Sequence, residues 1–182
     1  MRIADRLRVF LLVVAGYGLL QVGNNYLTDF LYLEPGAHIV YLPSGVRMLI
    51  VMVTGVVGAL AISVASFPST YLLLFPENPA LATVLSITGG LIPLATFFLL
   101  RPFLNLQKNF SNLTVQKLAL ISVTYAAINT ITQQLIIQAF MQTTTLLNAM
   151  LVMFTGDILG IVIVLYILRM VGKVLRQRQI IE

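Results

Sequence analysis

Two ionisable side chains lie inside long apolar stretches of this sequence, and they are the residues best placed to carry chemistry. Arg47 follows Tyr41-Leu-Pro-Ser-Gly45 near the start of one stretch, and Asp157 lies near the middle of the last stretch. A charge at the centre of a bilayer costs about 3 kcal/mol, so such groups face a protein interior and have partners. We expect Arg47 and Asp157 to pair, directly or through water. The alternative is that Arg47 reaches the outer interface while Asp157 is protonated or held by backbone donors.

A polar face runs along the apolar stretch that precedes the last one. Tyr125, Asn129 and then Thr132 or Gln133 recur at three- and four-residue steps, which places them on one side of a helix. One interpretation is a polar cavity that binds a small molecule. The other is hydrogen bonding between helices, which contributes about 0.6 kcal/mol per pair.

Two polar residues of the last stretch, Asn148 and Thr155, lie seven positions apart and are expected to line the same interior. The sequence therefore predicts one buried polar centre or ligand site, made of Arg47, Asp157, Asn129, Gln133, Tyr125 and Asn148.

Little else in the sequence indicates catalysis or metal binding. There is no cysteine and a single histidine, His38, so we expect no metal site. No phosphate-binding loop, dinucleotide fingerprint or serine nucleophile elbow is present. We expect a non-enzymatic protein, leave the identity of any cofactor open, and expect His38 to be a solvated loop residue.

The composition is that of a membrane protein. Of the 182 residues, 59% are hydrophobic and 9% are charged, whereas soluble domains carry about 25% charged residues. The net charge of +5 does not indicate a nucleic-acid partner, because the basic residues cluster at the ends of apolar stretches, as in membrane proteins. We predict an all-α polytopic transmembrane bundle in which residues 1–182 form one domain.

The apolar stretches define the predicted helices. A spanning helix needs about 20 mostly apolar residues. The first stretch, 9–22, is expected to continue as helix toward Leu33. Pro76-Glu-Asn-Pro79 predicts a turn and Arg101-Pro102 a helix end. The remaining stretches are 44–75, 80–100, 117–140 and 146–168.

The stretch 44–75 is long for one crossing and short for two. If it breaks near Gly55-Val-Val-Gly58 and bends at Pro68, the chain crosses about six times, and the basic clusters all face the cytoplasm, where lysine and arginine are preferred. Both termini would then be cytoplasmic, in the inner membrane of a bacterium. The alternative is one long tilted helix and five crossings.

Two short motifs resemble a known family. Tyr41-Leu-Pro-Ser-Gly-Val-Arg47 opens an apolar helix, and Phe154-Thr-Gly-Asp-Ile-Leu-Gly160 lies near the C-terminus. Together they resemble the integral membrane sensory domain of bacterial histidine kinases and diguanylate cyclases, the first-class membrane-associated sensor family. The chain departs from that family in having no tryptophan, fewer spans and no attached output domain. The resemblance implies a divergent stand-alone sensor that acts through a separate partner.

A second, looser similarity concerns the size and the number of helices. About six helices in a small chain is similar to the substrate-binding subunits of energy-coupling-factor vitamin transporters. The small-residue docking motif of those subunits is not evident, because Ala15 is followed four positions later by Leu19.

The sequence thus favours a sensor-like or accessory subunit whose partners are the lipid bilayer, another membrane protein and a small-molecule ligand. The alternatives are a transporter's substrate-binding subunit, or a structural subunit of a larger membrane complex.

Overall fold

The computed structural model describes residues 3–28, 32–34, 37–107, 109–142 and 146–179, and these fold as a bundle of helices. The predicted all-helical class is confirmed, with one addition: a small antiparallel hairpin between the first two helices. The helices are α1 (Ile3–Thr28), α2 (Leu42–Thr54), α3 (Val56–Ser69), α4 (Pro79–Phe103), α5 (Val115–Met141) and α6 (Leu146–Gln179), and the hairpin strands are β1 (Tyr32–Glu34) and β2 (Ala37–His38).

The long apolar stretch is divided at Gly55, as predicted. Gly55 has a φ of 62°, a conformation that glycine adopts without steric cost. A Cβ on Gly58 would lie 2.8 Å from the Ile50 side chain, two turns back along the chain, so α3 folds back beside α2. One π-helical turn, Thr70–Leu74, follows shortly after Pro68 and continues α3.

Helix boundaries differ from the prediction at two places. The first helix ends at Thr28, and Leu33 lies in β1 rather than in a continuing helix. Helix α4 ends at Phe103, one residue past Pro102. Proline disfavours only the residue before it and removes one donor, so a helix can run slightly beyond it. The turn before α4 is confirmed, with Asn78 as the N-cap of the helix.

Side-chain contacts fix the direction of the first two helices. Tyr17 contacts Arg47, and Asn24 contacts the start of α2 at Leu42, so α1 and α2 are antiparallel. The same reasoning makes α3 and α4 antiparallel, because Ser63 donates to the Ile87 carbonyl while Gly90 lies against Ala59.

Helix α2 lies at the centre of the bundle and runs parallel to α6. Tyr41 donates its backbone N–H to the Gly156 carbonyl, and one turn later Gly45 lies against Ile161. Helices α1, α3, α4, α5 and α6 all contact α2. With 13 residues, α2 is about 20 Å long, shorter than the hydrocarbon core of a bilayer.

The two ends of the bundle carry different elements and are called the hairpin end and the terminal end. The hairpin end holds the β-hairpin, the turn between α3 and α4, and the start of α6. The terminal end holds the start of α1, Gly55, the connector between α4 and α5, and the end of α6.

The outer surface of the bundle is apolar and its interior contains many polar groups. Four helical segments are long and apolar enough to cross a membrane: Val56–Leu74, Pro79–Phe103, Val115–Met141 and Leu146–Lys173. Exposed leucines, valines and phenylalanines cover their outer faces, while serines, threonines, glutamines and asparagines are buried between them. This inverted arrangement is that of an integral membrane protein, whose surface meets lipid rather than water.

Candidate functional site

The buried centre is built around Arg47, which is only 4% exposed. Its Nε and Nη2 groups donate to the Tyr17 hydroxyl at 2.9 and 2.7 Å, and Nη2 also donates to the Tyr41 hydroxyl at 3.2 Å. The guanidinium carbon lies 5.7 Å from the centroid of each tyrosine ring. Arg47 therefore does not extend to the outer interface, and the two tyrosines hold it inside the bundle.

One glycine makes room for this guanidinium. A Cβ on Gly89 would lie 3.4 Å from Nη1 of Arg47, so the backbone of α4 forms one wall of the arginine site. The arginine thus lies between α1, α2 and α4, with its charge placed well inside the bundle.

Asp157 is fully buried on α6, and neutral groups hold it. Its Oδ2 atom accepts a hydrogen bond from Asn129 Nδ2 at 2.6 Å, while Oδ1 has no partner among the described residues. Ser44 donates to the backbone carbonyl of Asp157 at 3.0 Å and so joins the start of α2 to this turn of α6.

Arg47 and Asp157 do not form the direct ion pair that the sequence suggested as one alternative. Arg47 donates to tyrosine hydroxyls, and Asp157 accepts from an asparagine. Both side chains nevertheless line the same cavity. The two charges face a shared space from α2 and α6, an arrangement compatible with coupling through water or through a ligand.

The polar face predicted for α5 is confirmed. Tyr125, Asn129 and Gln133 are all buried, at successive turns of one helix face. Gln133 donates to the Leu85 carbonyl of α4 at 3.3 Å. The Tyr125 ring packs in an apolar cluster nearer the terminal end, while its buried hydroxyl lies close to Arg47. The face therefore changes from apolar contacts to polar ones toward the hairpin end.

Asn148 does not belong to this centre, which corrects the prediction. Its side chain is exposed, as is that of Thr155. Asn148 precedes Asp157 by nine residues, and at about 100° per residue the two point in opposite directions. Asn148 and Thr155 do share a face, but it is the face turned away from Asp157.

The two motifs that carried the first resemblance pack against each other. A Cβ on Gly156 or Gly160 would overlap the backbone of His38 or Tyr41, and a Cβ on Gly45 would lie 2.9 Å from the Ile161 Cα. These glycines let α2 and α6 approach closely, which places Arg47 and Asp157 around one cavity.

Sequence reasoning missed several residues of the site. Tyr17, Gln21 and Asn24 lie at helical spacing on the α1 face that meets α2, and Gln21 donates to the Tyr41 hydroxyl at 3.2 Å. This polar line was a signal that helical periodicity could have revealed. The prediction for His38 is wrong, because the residue is 4% exposed and lines the cavity.

A cavity of about 50 Å³ lies between the two charges. One water needs roughly 10–15 Å³ of such space, so the cavity holds a few waters or a very small molecule. All six helices and the end of the hairpin contribute to its wall: Gln21, His38, Tyr41, Arg47, Ser66, Thr70, Leu74, Phe75, Leu85, Gln133, Ile137, Met153 and Asp157.

An open cleft of about 450 Å³ lies beside this cavity at the hairpin end. Leu74 and Phe75 belong to the walls of both spaces. Phe75 is buried against Leu81, Leu85 and Ile137. These two residues therefore form the partition between the inner cavity and the surface.

Comparison with known proteins does not place this chain in a family. No protein-family model, curated protein or solved structure matches it significantly. The site must therefore be interpreted from its own geometry.

Proposed function

We propose that this chain is a non-enzymatic, sensor-like or accessory subunit of a bacterial cytoplasmic membrane, which binds a small polar ligand in its inner cavity and acts through a second membrane protein. The observation that carries the proposal is the pair of buried opposite charges, Arg47 and Asp157, which line one cavity without bonding to each other.

Incomplete hydrogen bonding around the centre favours a ligand site over a purely structural role. Buried polar atoms in proteins are almost always paired. Here Gln21 Oε1, Asn129 Oδ1 and Asp157 Oδ1 have no partner among the described residues. These acceptors are available to a polar ligand or to the few waters that the cavity can hold.

The size of the cavity argues against the vitamin-transporter alternative. Pockets for drug-sized ligands have volumes of about 300 Å³ or more, whereas this cavity has about 50 Å³. The arrangement described here therefore suits a ligand much smaller than a vitamin, which favours the sensor-like or accessory role.

The proposed topology is six crossings with both termini in the cytoplasm. This requires α1 and the short α2 to cross as well as the four long apolar segments. Alternating helix directions support it, as does charge: Arg6, Arg8, Arg101 and Lys117 are at the terminal end, and Glu77 is at the hairpin end.

Ligand binding can be tested on the protein purified in a mild detergent. We expect native mass spectrometry of the wild type to show a small bound molecule, and Arg47→Gln to lose it. Met52→Leu is the matched control on the same helix, because Met52 lies in the apolar cluster and not in the cavity wall. Retention of the molecule by Arg47→Gln, or no bound molecule on either protein, would contradict the proposal.

The same purification tests the proposed partner. A specific membrane protein should accompany the wild type in stoichiometric amount. Purification of the chain alone, from membranes solubilised under several mild conditions, would oppose a role through a partner.

Topology is tested separately by labelling introduced cysteines with an impermeant reagent, since the chain has no native cysteine. Ser111→Cys in the α4–α5 connector should be protected in intact cells and Glu77→Cys should be labelled. Labelling of Ser111→Cys from outside would exclude the six-crossing arrangement.

A further inference from the structure

We propose, on the basis of the proposed function, that the inner cavity selects a small zwitterion, with its anionic group beside Arg47 and its cationic group beside Asp157.

The Arg47 guanidinium is held in a fixed orientation, but none of its hydrogen-bond partners carries a negative charge. The hydrogen bonds of Arg47 go to two uncharged hydroxyl groups and involve only Nε and Nη2. Its Nη1 group lies beside the backbone at Gly89, and the buried Tyr125 hydroxyl is also close to the guanidinium. No anionic group neutralises the guanidinium, so it can still bind an anionic group in the cavity.

The Asp157 carboxylate is likewise held by a neutral group. Asn129 donates to Asp157 Oδ2, and Oδ1 is left without a partner among the described residues. Removing a charge from water costs several kcal/mol unless an opposite charge lies nearby. The site contains one charge of each sign, held on different helices.

A ligand with a single charge fits only half of this site. An anion beside Arg47 would be repelled by Asp157, and a cation beside Asp157 would be repelled by Arg47. A zwitterion complements both charges and leaves the filled site with no net charge.

The space and the remaining walls limit the ligand further. A volume of about 50 Å³ accommodates only a few heavy atoms. Leu85, Ile137 and Met153 provide an apolar side, suited to methylene or methyl groups between or around the charged ends. The ligand class is thus a minimal amino acid, which would enter from the outer cleft past Phe75.

The test uses the full-length protein in detergent and four probes: free glycine, glycine betaine, acetate and methylammonium. Thermal unfolding is followed at increasing probe concentration. We expect glycine to raise the melting temperature in a saturable manner, while acetate, methylammonium and the larger glycine betaine at equal concentration do not. Arg47→Gln and Asp157→Asn should each weaken the effect by at least about tenfold, and Ser122→Ala, away from the cavity, should leave it unchanged.

The probe panel works on the wild type alone, so misfolding of a variant would not hide the result. Stabilisation by acetate would replace the inference with an anion site, and stabilisation by methylammonium would replace it with a cation site. If no probe binds while a different molecule accompanies the wild type and is lost in Arg47→Gln, the zwitterion inference is wrong and the proposed function stands. If no molecule binds at all, both are wrong.

Discussion

The interior of the bundle has two halves that differ in kind, although the same helices run through both. At the hairpin end, α2, α5 and α6 contribute Arg47, Gln133 and Asp157 to a polar cavity. At the terminal end, α2 contributes Met52 and α5 contributes Ile121 to an apolar cluster.

The apolar cluster and the polar cavity differ in what they contribute to the stability of the fold. An apolar cluster is stabilised mainly by packing, even where lipid weakens the hydrophobic driving force between helices. A cavity that contains two separated charges is costly to maintain, and under the proposed function this cost keeps a ligand site available. The apolar cluster at the terminal end therefore contributes helix packing, while the cavity at the hairpin end holds Arg47 and Asp157 on separate helices.

The largest expected effect comes from removing one charge of the hairpin half. Arg47→Met should lower the free energy of unfolding by about 3 kcal/mol, because Asp157 then remains buried without a nearby cation. Met48→Leu, the adjacent residue in the apolar cluster, should cost less than about 1.5 kcal/mol. Reversible unfolding in mixed micelles measures both.

A double-mutant cycle sharpens this result. Arg47→Met combined with Asp157→Leu should cost at least about 1 kcal/mol less than the sum of the two single substitutions. Strict additivity would show that the two charges act independently, and the comparison between the halves would lose its electrostatic basis.

The next effect tests the close approach of α2 and α6, which lies in the hairpin half. Gly160→Ala should destabilise the fold by about 2–3 kcal/mol, because the new methyl group would meet the Tyr41 carbonyl. Gly172→Ala on the same helix meets nothing within 4 Å and should be neutral or slightly stabilising. Equal melting temperatures for the two variants would contradict the contact.

A smaller effect is expected on the rate at which introduced cysteines react with a thiol reagent, which reports water access to each half. Ser66→Cys lines the cavity and Ser122→Cys lies in the apolar half, and both serines are buried. A small charged thiol reagent should modify Ser66→Cys at least about tenfold faster. Adding Phe75→Ala should increase only the Ser66→Cys rate. Equal rates at the two positions would mean that the cavity is closed to water.

The smallest expected effect concerns a single hydrogen-bond acceptor. Tyr17→Phe removes the hydroxyl that binds Arg47 and should cost about 1 kcal/mol, a typical value for polar contacts between membrane helices. Tyr26→Phe on the same helix, 77% exposed, is the control and should change nothing measurable. A loss of stability from Tyr26→Phe as large as that from Tyr17→Phe would remove the site-specific explanation.

Local composition was sufficient to predict the helical class, the break at Gly55 and the polar face of α5. These features depend on runs of apolar residues, on one glycine and on helical spacing, all of which lie within a short stretch of chain. Arg47 and Asp157 were found for the same reason, since charges are conspicuous in apolar surroundings.

The partners of these charges could not be predicted so easily. Tyr17 and Tyr41 look like ordinary residues of a membrane helix and its loop, and their role depends on α1 lying beside α2. His38 is buried because the hairpin folds onto α6 at Gly156, a contact between residues far apart in sequence. Asn148 is different, because the angle between successive residues of a helix already excluded it.

The enclosed position of α2 has a consequence for biosynthesis. This short helix is made early, yet the helix against which its glycine packs, α6, is made last. During translation, Arg47 and the peptide groups at the start of α2 cannot make their contacts with α6 until residues near 160 have been synthesised. The final arrangement of the bundle is therefore reached only after the last helix has been made.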